Sequence, residues 1–131
     1  MKLLKSLIAI ALFMASNTIS AQAVTEKWKQ LGNYQEVLDT TFKPSEDGDF
    51  GPIKLSSQEL VTKVEALDVT TMPQDLRTPR LEDVIVVLKR QTKVLDELIK
   101  AKAPNAEIMR TFENVHDIYN RVVYVCNNLK K

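Results

Sequence analysis

The sequence predicts an all-α protein, an antiparallel four-helix bundle, on three observations. Apolar residues recur at three- and four-residue steps along residues 24–131, and nowhere do they alternate convincingly as strands require. Glycine and proline divide the chain into four amphipathic segments. The last segment spaces Ile108, Phe112, Val115, Tyr119, Val122, Cys126 and Leu129 by alternating steps of four and three, the pattern of a bundle seam.

The first helix is expected from about Thr25 to Phe42, carrying Trp28, Leu31, Leu38 and Phe42, with Gly32-Asn33 as its weak point. Lys43-Pro44 should end it, because proline cannot continue a helix. After the acidic loop Ser45–Asp49, Pro52 suits the opening turn of a second helix that carries Ile53, Leu60, Val64 and Leu67. A longer link, Val69 to Thr78, contains Pro73. Thr78-Pro79 then reads as an N-cap followed by proline at the first helical position. The third helix, to about Lys102, presents a wide apolar face of Leu81, Val84, Ile85, Leu88, Leu95, Leu98 and Ile99. Pro104-Asn105 separates it from the fourth, about Ala106 to Leu129. At 1.5 Å per residue such helices make a bundle roughly 25 to 35 Å long.

Ahead of the bundle, Met1-Lys2-Leu3-Leu4-Lys5, the apolar run Leu7 to Met14 and Ala21-Gln22-Ala23 have the three parts of a secretory signal. The apolar run falls short of the roughly 18 to 20 residues that span a membrane. Residues 1–23 are therefore expected to be removed, leaving residues 24–131 as one domain exported to the periplasm or the medium, with no membrane insertion. No cysteine near residue 23 offers a thiol for a lipid anchor. Removal takes Lys2 and Lys5 from the 18 basic residues and leaves 16 against 17 acidic ones. That balance gives no electrostatic reason to bind nucleic acid. With one cysteine an internal disulfide is impossible, so packing must supply the stability.

Chemistry is sparse. The chain has one histidine and one cysteine, both in the last helix. Ten residues of helix put His116 and Cys126 about 15 Å apart axially and about 80° apart around the axis, so they cannot share an ion. Cys126 lies on the apolar seam as a small buried hydrophobe. His116 lies one residue off the seam. Glu113 precedes it by three and Asn120 follows by four, on the same flank. These three residues are the candidate metal site, with His116 as its anchor, and a ligand from another helix is needed to complete it. A carboxylate-bridged di-iron site would require a second Glu-x-x-His motif, which the single histidine rules out. Covalent haem would require Cys-x-x-Cys-His, which is absent; noncovalent haem would use His116, and neither Met72 nor Met109 stands out as its axial partner.

The loop Glu46-Asp47-Gly48-Asp49 lacks the ligand ladder of a calcium-binding EF-hand and reads as a solvated turn. Glu82-Asp83, Asp96-Glu97 and Glu65 with Asp68 are expected on solvated polar faces. Ser56-Ser57 shows no nucleophile elbow. Nothing here argues for an enzyme; the expected role is binding or interaction with a protein or small ligand.

Two stretches, Thr41–Lys54 and Val115–Cys126, resemble small exported bacterial proteins of the cytochrome c-prime and soluble cytochrome b type. In that group Thr-Phe-His-Pro precedes an acidic loop, and the last helix reads Leu-His-Asp-Val-Phe-His before a closing cysteine. His116, Asp117 and Cys126 match; Lys43 and Asn120 stand where the group has histidines. The resemblance implies a cytochrome c-prime-like bundle fold and a metal site weakened by the loss of two histidines.

Overall fold

The computed structural model describes residues 23–129, and these are helical apart from turns and links. The expected signal segment therefore lies outside the described residues, save its last residue, Ala23. A helical stretch at 23–27 leads into four longer helices: α1 (Lys29–Glu46), α2 (Gly51–Glu65), α3 (Pro79–Lys100) and α4 (Asn105–Asn127). No helix among the described residues is long and apolar enough to cross a membrane.

The first helix departs from its expected limits at both ends. The chain breaks at Trp28, whose backbone is extended (φ −118°, ψ 92°), and α1 runs unbroken through Gly32-Asn33. Tertiary packing moves the break. Trp28 is fully buried and its indole Nε1 donates to Thr71 Oγ1 at 3.3 Å, which ties the start of α1 to the link after α2. Gly32 serves as a point of close approach: a Cβ there would lie 3.3 Å from both Cβ and O of Thr25, so the entering turn folds back over it.

At the other end α1 continues through Pro44 to Glu46. Proline costs the helical ladder its own N–H and crowds the carbonyl four residues before it, but it forbids nothing on its C-terminal side. The last turn is held instead by Ser45 Oγ, which donates to Thr41 O at 2.9 Å, and by Asp47 N, which donates to Pro44 O at 3.0 Å.

The acidic loop turns at Gly48, whose φ of +92° lies in the region glycine tolerates without strain. Asp49 Oδ1 accepts from Gly51 N at 3.0 Å and so takes one donor at the start of α2. The third helix opens as expected, with Thr78 Oγ1 accepting from Leu81 N at 3.2 Å and Pro79 in the first turn. It closes on Lys102 with φ +57°, the left-handed residue of a helix stop in which Ala103 N donates to Leu98 O and Lys102 N to Ile99 O.

Each helix packs on the next in sequence, and α1 also contacts α4, most sparingly of the four seams. The core runs the length of the bundle. It takes Leu31, Tyr34 and Leu38 from α1, Ile53, Leu60 and Val64 from α2, and Leu81, Ile85, Leu88 and Leu95 from α3. From α4 come Ile108, Phe112, Val115, Tyr119, Val122 and Cys126. Every seam residue expected in α4 is buried except Leu129, which packs half-buried against the core.

One expectation about surface charge is overturned. Asp96 is not on a solvated face: it is 5% exposed, accepts from Ser57 Oγ at 2.7 Å and pairs with Lys100 Nζ at 2.8 Å. Its position on α3 points at the serine that α2 buries, so a polar clasp occupies what the sequence presents as another surface carboxylate. Burying a carboxylate requires such partners.

A left-handed lysine carries a conformational cost that glycine does not. Lys102→Gly is expected to raise stability by about 1 kcal/mol in urea denaturation. An unchanged or lower midpoint would show that the Lys102 side chain contributes more than its backbone costs.

Candidate functional site

His116 sits where α4 faces α1. Its imidazole lies flat on the Phe42 ring, centroids 4.1 Å apart and planes within 6°, and Phe42 meets Phe112 edge-on at 5.0 Å. A turn further along α4, Tyr119 meets Tyr34 of α1 at 6.0 Å. The most sparingly contacted seam of the bundle is thus filled by large rings, and His116 is part of that filling while remaining half-buried. Aromatic contacts of this kind contribute about 0.5–1.5 kcal/mol beyond the area they bury.

Of the residues proposed to accompany His116, Asn120 is brought to it. Its Nδ2 lies 3.5 Å from His116 Nδ1, at the long limit of a hydrogen bond, as expected for residues one turn apart on an exposed flank. Glu113 is exposed and makes no hydrogen bond or ion pair with the histidine. The residue that helix-by-helix reasoning missed is Asp39 of α1. The Tyr34–Tyr119 and Phe42–His116 contacts bracket it, which sets it opposite the His116–Tyr119 flank. Partial desolvation raises the carboxyl of the solvent-exposed Asp39 above its ordinary 3.8, and the nearby His116 charge and a hydrogen bond from Gln35 pull it partly back. The only signal in the sequence was a carboxylate next to the seam residue Leu38, and that becomes informative only once α1 is laid against α4.

Among the described residues no three His, Cys, Asp or Glu side chains gather as a ligand set. Cys126 is buried, and desolvation pushes its thiol up to about 11, so it holds its proton at neutral pH and is a poor nucleophile. Met72 is buried in the core from the link, and Met109 is half-buried on α4.

The seam also holds an unsatisfied group. The Tyr119 hydroxyl is buried with no hydrogen-bond partner, and desolvation, then the Asp39 charge, raise its pKa. Its neighbour Tyr34 is satisfied: Thr92 Oγ1 donates to Leu88 O at 2.8 Å and accepts from the Tyr34 hydroxyl at 2.9 Å.

A different feature lies where the link after α2 meets α3. Leu67, Met72 and Ile85 form the floor of an open cleft of about 200 Å³, flanked by Val69 and Val86, which are 44% and 54% exposed. Asp68, Glu82 and Lys89 line the rest of it. No pattern in the sequence points here, because the cleft joins a non-periodic link to the edge of a helix face.

Two substitutions probe the α1–α4 seam. Tyr119→Phe removes an unpaired buried hydroxyl and is expected to raise stability by on the order of 1 kcal/mol, read from thermal melting. For Asp39 the sign follows from linkage: the folded state holds the carboxyl proton more tightly than the unfolded chain. Asp39 therefore lowers stability as pH rises through the carboxylate range. Asp39→Asn should melt higher than wild type at pH 7, and the gain should vanish in acid, where Asp39 is itself protonated; a gain independent of pH would refute the assignment.

Compared with family models, with curated proteins and with solved structures, the chain finds no match.

Proposed function

We propose that this chain is an exported, non-enzymatic binding module built as an antiparallel four-helix bundle of cytochrome c-prime-like architecture. The antiparallel arrangement is supported by the cross-helix partners, whose numbers run in opposite senses. Ser57 meets Asp96 while Glu65 meets Lys93, and Tyr34 meets Tyr119 while Phe42 meets Phe112. Export is supported by the fit of the expected cleavage point to the core: Val24, the residue after Ala21-Gln22-Ala23, is buried in it.

The observation that carries the binding-module reading is the stack of His116 on Phe42. The one histidine serves to close the bundle, as the one cysteine does in the core, so the residues with most chemical potential are engaged in packing. Function then falls to the surface.

A second reading rests on the contact between His116 and Asn120 and on Asp39 facing them from α1. In it, His116 anchors a weak transition-metal site or noncovalent haem, with Asn120, Glu113 or Asp39 assisting. Parallel stacking leaves the in-plane lone pair of an imidazole nitrogen available to a metal.

Expression of the full chain in a bacterial host tests export. The periplasmic protein should begin at Val24 by intact mass, and cytoplasmic protein retaining residues 1–23 would overturn it. Thermal melting of untagged protein with copper, nickel and zinc separates the two readings. A metal-dependent rise in Tm, or a Soret band on adding haemin, lost in His116→Ala, establishes the second. Curves that ignore metal in both proteins, with haemin remaining unbound, leave the first.

A further inference from the structure

We infer that the expected signal is removed only while the chain is unfolded, so that the protein crosses the membrane before it folds and the folded bundle resists processing. This deepens the export reading and rests on it. Removal hydrolyses the bond between Ala23 and Val24. Water gives its hydroxyl to the Ala23 carbonyl carbon and a proton to the Val24 nitrogen. A protease takes the residues on both sides of the bond as an extended strand and cuts where the backbone is exposed. The folded chain offers neither condition at this bond.

Ala23 and Val24 are both helical, Val24 is 5% exposed, and its carbonyl accepts from Trp28 N at 2.9 Å. Extending the backbone for attack withdraws Val24 from the core and breaks that turn. The turn is itself pinned from outside. Trp28 is fully buried with its indole donating to Thr71 Oγ1, and Lys27 pairs with Asp75 of the same link. Thr25 lies over Gly32, where a Cβ would come within 3.3 Å of it. These contacts hold the residues just after the cleavage point to the 66–78 link and to α1, which take their places only when the bundle folds.

Release of this turn alone is the remaining route to cleavage of a folded chain. A transiently opened site is cut in proportion to its open population. Returning a buried valine to water sets that population at roughly a tenth or less. A chain that folds before export therefore keeps its signal, whereas a chain exported unfolded presents the bond extended and docks Val24 afterwards.

The test compares a purified bacterial signal peptidase acting on the folded full-length chain and on a synthetic peptide of residues 1–28, with products read by mass. The peptide should be cut after Ala23, and the folded chain roughly ten-fold or more slowly. Gly32→Val puts side-chain atoms where Thr25 lies, and Thr71→Val removes the acceptor of the Trp28 indole. Each should speed cutting of the full-length chain by roughly three-fold or more while the melt stays cooperative. A variant that loses its cooperative melt should be cut at the rate of the peptide. Equal rates for the peptide and the folded wild type, folded variants as slow as wild type, or an unfolded variant that stays uncut would each overturn the inference. A peptide left uncut after Ala23 overturns the export reading itself, which keeps the two failures apart.

Discussion

The packing of the α4 apolar seam against its neighbours is the contact on which the rest of this molecule depends. One cysteine excludes an internal disulfide, and no three metal-binding side chains converge among the described residues, so apolar burial has to hold the helices together. Ile108, Phe112, Val115 and Val122 are all fully buried, and their four-and-three spacing keeps them on one face over more than three turns. That face packs on α3 along its length and on α1 through a wider, ring-filled seam. An isolated helix is marginal in water, so the seam also stabilises the helix that carries it.

Around this apolar frame a few buried polar contacts determine which helices meet and at what level. Ser57 with Asp96 joins α2 to α3, Tyr34 with Thr92 joins α1 to α3, and Trp28 with Thr71 joins the start of α1 to the link. Each removes a donor and an acceptor from water together, which makes the contact tolerable in the interior and makes any other pairing costly. The Tyr119 hydroxyl is the exception, and it lies in the seam where the helices contact least.

The candidate site illustrates how limited helix-local geometry is. Spacing alone groups His116 with Glu113 and Asn120 on one flank, and of these only Asn120 comes within hydrogen-bonding range. The more informative neighbours, Phe42 and Asp39, arrive from α1, about seventy residues earlier in the chain. The cleft at Leu67, Met72 and Ile85 is likewise a product of two elements, one of them a link without periodicity.

The sequence by itself determined that the chain is helical, where most helices start and stop, and nearly every residue of the α4 seam. Those properties are written in periodicity and in the local chemistry of caps such as Thr78, which act over a few residues. Tertiary structure decided what depends on approach between distant segments. It placed the α1 break at Trp28 rather than Gly32, because the indole is drawn under the link and the glycine admits the turn that precedes it. It buried Asp96, because Ser57 faces it from another helix. It set His116 upon Phe42 and opposite Asp39, because two helices must be side by side before either residue has a neighbour.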